Sequence, residues 1–450
     1  MKRIVLAAAA ALLLILPGCN GKKNAVPEQH PHWTYNTVIY EVNTRQFSPE
    51  GTFAGVEAQL PRLKDLGVDI LWFMPIYEIG EVERKGSLGS YYAISDYTKV
   101  NPEFGTMADF ESLLGKAHEL GFKVILDWVA NQTAPDNVWM TDKPADFYER
   151  DAEGNAIYEY DWTDTRSLNY ENEQVWWAQD ECMRFWLEKG VDGFRCDAAA
   201  EMPSKFWKAI LPKMKTDYPD IYLLAEAEST ELIDPKETFD ASYAWKLHHL
   251  MNEIAQGKKT SSDLKAYVAE DDVEFGKTNF RMMFTSNHDE NSWSGSEFER
   301  MGDAANAMAV LCFTLPKGQP LVYTGQEVGV TRRIEFFEKD PVTDWAANQY
   351  TAFFKDLINF RHANAKVLAP GEQGAPIEYL ENDNPDVFAF SRGKGKNKIV
   401  VVVNLSSEPA TAHIKLDGKY CSAFGAQEYS PKAESFELGA WQYCLMSKKK

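Results

Sequence analysis

The sequence predicts an α/β fold: a (β/α)8 TIM barrel with a small inserted domain B after its third strand and a C-terminal antiparallel β-sandwich domain. Two patterns lead to this prediction. From residue 33 onward, a helical spacing of apolar residues, a glycine and a short apolar run recur in that order, as in successive βα units of a parallel sheet. After about residue 365 the pattern changes to short alternating runs separated by Gly, Asn and Pro, which are typical of antiparallel strands.

Eight apolar runs are predicted to be the barrel strands, the number that closes a barrel of this class. The helices between them are predicted from apolar positions three and four residues apart, and Thr106 with Asp109 forms a capping-box pattern. Gly67, Gly121 and Gly190 each follow such a helix and precede a strand. The predicted strands are Val38–Val42, Val68–Pro75, Phe122–Trp128, Val191–Phe194, Ile221–Ala225, Ala241–Leu247, Met282–Thr285 and Pro320–Tyr323.

These patterns divide the mature chain into three domains. Residues 33–131 and 170–365 are predicted to form the barrel, which we call domain A, and residues 366–450 to form the C-terminal β domain, domain C. Residues 132–169 contain Asp, Glu, Tyr, Trp and Pro but no sustained helical period. Because long loops on a barrel usually have a functional use, we interpret this segment as domain B, inserted over the active face.

The N-terminus is predicted to be a lipoprotein signal peptide, residues 1–19, followed by a linker, residues 20–32. A basic start precedes an apolar run from Ile4 to Leu16, which is short for a membrane-spanning helix. The run leads into Leu-Pro-Gly-Cys, which resembles a bacterial lipoprotein signal with Cys19 as the lipidated residue. We therefore expect an exported bacterial membrane lipoprotein, on either the periplasmic or the cell-surface face. An ordinary signal peptide and an uncleaved anchor are the alternatives.

The net charge of -20 argues against partners that require a basic surface. Nucleic acids and anionic membrane surfaces attract Lys and Arg, so we expect no nucleic-acid partner and membrane contact only through the lipid anchor. Among the five cysteines after Cys19, Cys421 and Cys444 could pair within domain C, although their positions alone do not establish a disulfide. No CxxC motif or His/Cys cluster indicates zinc or redox chemistry.

Charged side chains occur at the ends of four predicted strands. Because the strand ends of a parallel barrel converge on one crevice, we expect their carboxylates to share one site. Carboxylates that repel one another acquire different pKa values, so that one can donate a proton while another stays ionised. Cleavage of a glycosidic bond requires this division of labour. The residues are Asp127 on the third strand, Arg195 and Asp197 after the fourth, Glu226 after the fifth and Asp289 after the seventh.

These strand ends, in this order, resemble the conserved regions of the α-amylase family, glycoside hydrolase family 13. Two further stretches are similar to other regions of that family: residues 90–97 with Phe-Gly-Thr at 104–106, and Gly318 to Glu327 around the eighth strand. The resemblance extends over residues 33–365. It implies a retaining hydrolase of α-1,4-glucosidic bonds in starch-like α-glucans or maltooligosaccharides, acting by double displacement.

The resemblance also implies the roles of the three carboxylates. Asp197 matches the nucleophile, Glu226 the general acid/base, and Asp289 the third carboxylate, which binds sugar hydroxyls and stabilises the distorted sugar. A transglycosylase or an α-1,6-active relative of the neopullulanase or cyclomaltodextrinase type carries the same three residues and is the main alternative. A non-catalytic glycan-binding protein would lack a working carboxylate, and here all three are present.

Other positions match substrate or metal contacts of the family. At Gln132 the family usually has His, and an amide can bond a sugar hydroxyl but carries no charge. Asn131 matches a calcium ligand in many relatives, so Ca2+ is a candidate ion, with Asp161 and Asp164 of domain B as candidate further ligands. No organic cofactor is implied. The residues that match substrate-binding positions are Tyr92, Gln132, Arg195 and His288.

Overall fold

A computed structural model of the protein describes residues 28–424, 428–430 and 433–449. The predicted signal peptide, the predicted lipid-attachment residue Cys19 and most of the linker lie outside these residues. Among the residues described, no helix is both long enough and apolar enough to cross a membrane.

Twelve strands precede domain C, and eight of them close a parallel barrel in the order β1-β12-β11-β10-β9-β8-β5-β2. The predicted (β/α)8 barrel is therefore confirmed. The remaining four strands form two small antiparallel pairs above the barrel, β3 with β4 and β6 with β7. The strands are β1 (Ile39–Val42), β2 (Ile70–Phe73), β3 (Tyr77–Ile79), β4 (Ile94–Val100), β5 (Lys123–Val129), β6 (Gln132–Thr133), β7 (Arg166–Ser167), β8 (Gly193–Asp197), β9 (Tyr222–Ala225), β10 (Ala241–Tyr243), β11 (Phe280–Met283) and β12 (Gly318–Tyr323).

The helices begin and end where local chemistry indicates. Thr106 and Asp109 form the predicted capping box at the start of α2. Gly67 ends α1 with a φ of 100°, a left-handed conformation that favours glycine. The helices are α1 (Phe53–Leu66), α2 (Met107–Glu119), α3 (Trp139–Asp142), α4 (Glu173–Glu188), α5 (Ser204–Asp217), α6 (Trp245–Ala255), α7 (Ser261–Glu274), α8 (Glu297–Met301), α9 (Ala305–Thr314), α10 (Gln349–Ala363) and α11 (Ala365–Leu368).

All eight barrel strands differ from their predicted bounds, six of them by one or two residues at an end and two of them by three or more. The fourth continues through Asp197 instead of ending at Phe194, because Arg195 and Cys196 pair in register with Leu224 and Ala225 of β9. Its charged residues therefore belong to the strand itself. The sixth ends at Tyr243, and the apolar residues after it belong to α6, which a short apolar run does not distinguish from a strand.

A glycine allows two strands near the site to approach closely. A Cβ atom added to Gly193 at the start of β8 would lie 1.9 Å from the carbonyl oxygen of Tyr222 at the start of β9. Real Cβ contacts are not that short, so a side chain at this position would separate β8 from β9. The two strands that carry Asp197 and Glu226 are therefore held together at their base by the absence of a side chain.

Domain C is an antiparallel β domain, as predicted. A six-stranded sheet in the order β13-β14-β15-β20-β17-β18 faces the two-stranded sheet β16-β19, and one buried cluster contains side chains of both sheets. Cys421 and Cys444 are free in the structure, so the considered disulfide is not formed. The strands are β13 (Ile377–Tyr379), β14 (Val387–Lys394), β15 (Asn397–Asn404), β16 (Ala410–Lys415), β17 (Tyr420–Ser422), β18 (Glu428–Tyr429), β19 (Ala433–Leu438) and β20 (Tyr443–Lys448).

Candidate active site

One cleft at the carboxyl ends of the barrel strands contains most of the predicted site residues. It has a volume of about 860 Å³ and lies between the barrel, the inserted segment with β6 and the loop before β7, and the loop before β4. Arg195 does not line the cleft but lies buried beneath it. The predicted residues that line the cleft are Tyr92, Gln132, Asp197, Glu226, His288, Asp289 and the two candidate calcium ligands Asp161 and Asp164.

Arg195 is the charged centre of the site. Its guanidinium lies 2.8 Å from Asp127, 2.7 Å from Asp197 and 2.9 Å from Glu226, and its Nε donates to the hydroxyl of Tyr243. The side chain is completely buried, so these ion pairs are little screened by solvent. Asp127, also completely buried, holds Arg195 in place and does not line the cleft. One cation thus links three carboxylates from three neighbouring strands.

Asp197 and Glu226 are neighbours at the ends of β8 and β9. The amide of Glu226 donates to the carbonyl of Cys196 at 2.9 Å, which places the two carboxyl-bearing residues side by side on adjacent strands. Ala198 follows Asp197 with a φ of 43°, and its N–H donates to Oε2 of Glu226 at 2.8 Å. A non-glycine residue in this conformation is strained, and such strain is frequent at functional sites.

The two carboxyls have opposite pKa shifts in the substrate-free cleft. Burial raises the pKa of Asp197 well above its ordinary value, against the attraction of Arg195, and repulsion from Glu226 and Asp127 adds to the rise. Burial also acts to raise the pKa of Glu226, but Arg195 and the Ala198 N–H outweigh it and hold that pKa below its ordinary value. The surroundings therefore separate the pKa values of these two neighbouring carboxyls, and the pKa of Asp197 is the higher one in the empty cleft.

His288 connects the cleft to a carboxylate that the sequence analysis did not assign. Its Nδ1 lies 2.5 Å from Oε1 of Glu41 on β1, and its Nε2 lies 2.7 Å from the hydroxyl of Tyr92 and 3.3 Å from Asp289. Burial lowers the pKa of His288, but the carboxylates of Asp289 and Glu41 outweigh burial and raise it to about 9. In the sequence, Glu41 differs from its neighbours only as the single acidic residue within an otherwise apolar predicted strand.

Gln132 lies on β6 at the edge of the cleft and is almost completely buried. Its Nε2 is 3.5 Å from the carbonyl of Tyr92, which is a long contact, and its Oε1 has no hydrogen-bond partner in the structure. An unpartnered buried acceptor costs free energy unless a ligand satisfies it. The amide is therefore available to a donor group from the cleft.

Aromatic side chains that the sequence analysis did not assign also line the cleft. Trp162 comes from the inserted segment, Trp245 from the start of α6, and Trp293 from a π-helical turn, Glu290–Ser294, that follows Asp289. Trp293 is 54% exposed, so its ring face is available at the cleft wall. A π-helical turn has no simple periodicity in the sequence, although such turns are frequent at functional sites.

The candidate calcium ligands do not form a metal site. Nδ2 of Asn131 faces Oε2 of Glu159 at 3.4 Å. The Lys85 ammonium donates to the carbonyl of Asp161 at 2.6 Å and lies 3.7 Å from Asp164, so a lysine provides the positive charge beside these aspartates. Within residues 28–424, 428–430 and 433–449, no three His, Cys, Asp or Glu side chains are grouped to hold a metal ion. These residues do not fit Ca2+, and no reaction step is assigned to one.

Two family models match the chain. The model described as the α-amylase catalytic domain matches residues 34–166 and 151–356, which include the barrel and the cleft. The model described as the maltogenic amylase C-terminal domain matches residues 377–445.

Individual proteins agree with these matches. The crystal structure of an α-amylase from Lactobacillus plantarum is 30% identical, covers 92% of this chain and 99% of its own, and superposes with a TM-score of 0.81. The α-amylase MalA of Haloarcula japonica is 28% identical over 431 residues, which are 92% of this chain and 63% of that protein. This chain thus spans less than two thirds of the length of MalA.

A probable oligo-1,6-glucosidase of Bacillus subtilis is 26% identical over 374 residues, 66% of each chain. The relatives therefore include proteins named as α-amylases and a protein named for 1,6-linked oligosaccharides. The family model alone matches more than half of this chain, over the strands that carry the cleft. This chain belongs to the α-amylase family, glycoside hydrolase family 13.

Proposed function

We propose that the protein is a retaining glycoside hydrolase that cleaves α-1,4-glucosidic bonds in starch-like glucans or maltooligosaccharides. The observation that carries this proposal is the pair of carboxyls at the ends of β8 and β9, both ion-paired to Arg195 and both facing the cleft with Asp289. A retaining mechanism requires two close carboxyls with different protonation, one as nucleophile and one as proton donor.

In the proposed first step, a carboxylate oxygen of Asp197 attacks the anomeric carbon while Glu226 protonates the departing glycosidic oxygen. The glycosidic C–O bond breaks and a glycosyl ester forms on Asp197. In the second step, Glu226 takes a proton from water, the water oxygen attacks the anomeric carbon, and Asp197 is released. Asp289 and His288 lie beside this position and are proposed to bind the hydroxyls of the same sugar.

The first step requires an ionised Asp197 and a protonated Glu226, which is the reverse of the order of their pKa values in the empty cleft. Because both carboxyls are bound to one guanidinium, their titrations are linked, and we propose that a bound sugar reverses that order. The positive charge that develops at the anomeric carbon favours an ionised Asp197, and the basic glycosidic oxygen favours a protonated Glu226. The activity is therefore expected to fall at alkaline pH, where Glu226 loses the proton that the departing oxygen requires.

Product analysis tests this function against the main alternative. Purified protein is incubated with maltoheptaose and, separately, with pullulan, and the products and their anomeric form are followed by NMR. Release of α-anomeric maltooligosaccharides from maltoheptaose supports the proposal. Products longer than maltoheptaose indicate a transglycosylase. Cleavage of pullulan at its α-1,6 bonds, without release of panose, indicates an α-1,6-active enzyme, which the similarity to an oligo-1,6-glucosidase favours. If neither substrate yields a product, both the proposed function and the alternative are contradicted.

Gln132→Ala is expected to weaken catalytic efficiency. If the free amide oxygen of Gln132 accepts a hydrogen bond from a sugar hydroxyl, the alanine variant loses a neutral hydrogen bond worth about 0.5–1.5 kcal/mol. This energy corresponds to a roughly three- to tenfold lower kcat/KM, measured on one maltooligosaccharide. Gln132→His is expected to be tolerated.

Thr133→Val is the matched control for Gln132. Thr133 is the next residue of β6, and its hydroxyl bonds that of Tyr148 away from the cleft. We expect this variant to lower the melting temperature and leave kcat/KM unchanged. A Gln132→Ala variant that behaves in the same way would show that Gln132 supports the inserted segment and does not contact the sugar.

We also propose that the protein is exported and anchored by a lipid on Cys19. The apolar run that ends at this cysteine supports the proposal. Cys19→Ser is expected to move the protein from the membrane fraction to the soluble fraction, as measured by fractionation and immunoblot. Cys421→Ser, which changes a free cysteine of domain C, serves as the control. If Cys19→Ser stayed in the membrane fraction, the N-terminal run would be an uncleaved anchor.

A further inference from the structure

Glu41 is a completely buried carboxylate in the middle of β1. Its Oε1 lies 2.5 Å from Nδ1 of His288, and its Oε2 has no hydrogen-bond partner in the structure. Burial of a carboxylate is costly unless the group is paired, so its contact with His288 is the interaction that compensates it. Because His288 is the hydrogen-bond partner of this buried carboxylate, we expect Glu41 to influence the site through His288.

The hydrogen bonds on the other side of His288 determine where its protons lie. The Tyr92 hydroxyl is 3.0 Å from Oδ2 of Asp127 and 2.7 Å from Nε2 of His288, and it has one proton to give. Asp127 already accepts from Arg195 and from the indole N–H of Trp72, which can only donate. Asp127 is therefore an acceptor, and Tyr92 donates to it. The Tyr92 oxygen must then accept from an N–H at Nε2 of His288.

The other ring nitrogen faces Glu41 and carries a proton when Glu41 is ionised. Burial raises the pKa of Glu41, and the attraction and hydrogen bond of His288 oppose that rise. We propose that Glu41 is the positioning residue that holds His288 as a doubly protonated cation, with its Nε2–H directed at the cleft. His288 then donates from both ring nitrogens, to Glu41 and to Tyr92, while Asp127 accepts from both Tyr92 and Arg195. The upward pKa shift of His288 agrees with a proton on each of its ring nitrogens.

The consequence for catalysis rests on the proposed function. A protonated His288 adds a second cation to a site whose carboxylates otherwise share Arg195, and it lies 3.3 Å from Asp289. The pKa of His288 is raised to about 9, so its charge persists at pH 7 and is lost as the pH rises through that value. The titratable groups that face His288 are Glu41, Tyr92, Asp127, Arg195, Glu226 and Asp289.

Glu41→Gln tests the proposal, because it keeps the shape of the side chain and removes its charge. The protonation of His288 is followed by NMR of ¹⁵N-labelled histidine, with the His288 signal identified by its absence in His288→Gln. We expect the midpoint of the His288 titration to fall by about 1–3 pH units in Glu41→Gln. The alkaline limb of the kcat/KM profile is expected to move to lower pH, and kcat/KM at pH 5.5 to stay within about threefold of wild type.

Asp240→Asn is the matched control at the opposite end of the barrel. Asp240 is a completely buried carboxylate that contacts Nδ1 of His30 at 3.1 Å, and it also accepts from Lys215 and the Leu223 amide. We expect this variant to lose thermal stability without moving the His288 titration or the alkaline limb.

Three outcomes would overturn the proposal. One is a wild-type His288 with a single N–H at pH 7. Another is an unchanged His288 midpoint in Glu41→Gln. The third is an equal shift in Asp240→Asn, which would indicate a general loss of stability. Because the NMR titration needs no substrate, it reports on Glu41 even if the proposed hydrolysis fails, and the two failures are therefore distinguishable.

Discussion

Asp197→Asn should lower kcat on maltooligosaccharides by a factor on the order of 10⁴ or more, the size of effect that loss of a nucleophile has in other hydrolases. The amide has nearly the same shape and can still accept from Arg195, but it cannot form the glycosyl ester. The remaining ion pairs of Arg195 with Asp127 and Glu226 are unchanged. Kinetics and circular dichroism of the purified variant measure activity and fold together.

The same variant should be at least as stable as the wild type at pH 7. The folded-state pKa of Asp197 is raised by burial, so its carboxyl contributes stability below its unfolded pKa and loses that contribution as the pH rises through the folded value. Asn cannot ionise and does not incur this loss. Loss of activity with unchanged or higher stability is the signature of a group retained for chemistry.

Chemical rescue identifies the nucleophile directly. Asp197→Gly opens space for azide, which should restore turnover and yield a β-glycosyl azide, because it attacks the face that Asp197 occupied. An α-glycosyl azide would mean that the missing group was the base of the second step. Near wild-type hydrolysis by Asp197→Asn would remove Asp197 from the mechanism altogether.

Arg195→Met should destabilise the protein by about 3–5 kcal/mol, the cost of removing one partner from buried ion pairs. The substitution keeps an apolar stem of similar length and leaves Asp127, completely buried, without its countercharge. Urea unfolding followed by tryptophan fluorescence gives the free energy of unfolding. Activity should also be lost, because Asp197 and Glu226 lose the cation that they share.

The loss of stability in Arg195→Met should depend on pH, and the pKa of Asp127 determines in which direction. Burial already raises the pKa of Asp127, and Arg195 opposes that rise. Without Arg195 the pKa rises further, and a carboxyl with a raised folded-state pKa loses its stabilising contribution as the pH increases. The difference in stability between wild type and Arg195→Met should therefore be larger at pH 8 than at pH 5. The double variant Arg195→Met/Asp127→Asn should recover part of the loss, and a double variant no more stable than Arg195→Met would contradict this account.

The fold was predictable from the sequence because each βα unit repeats the same local signals. Helical spacing, a terminating glycine and an apolar run depend on residues a few positions apart, and the carboxyl ends of parallel strands must converge. For this reason Arg195, Asp197 and Glu226 could be assigned to one site, and they lie together. Their catalytic roles remain predictions that the variants above test.

Other parts of the site depend on contacts that local patterns do not contain. Glu41 became significant only through His288, which follows a strand two positions away around the barrel. Asp161 and Asp164 are candidate calcium ligands because they belong to the inserted segment, but Lys85, which contacts the carbonyl of Asp161 and lies near Asp164, comes from a different loop. Strand bounds were least predictable where apolar residues continue into a helix, as after Tyr243.

The closure of the barrel by β1 and β12 also determines when this protein can first act. Glu41 and His288 are 247 positions apart, and β1 acquires its second neighbour only when β12 has been synthesised and paired. A growing chain therefore lacks the complete set of charges until almost all of domain A has been synthesised. No partly synthesised chain carries the assembled site, so completion of the barrel is the event that switches the cleft on.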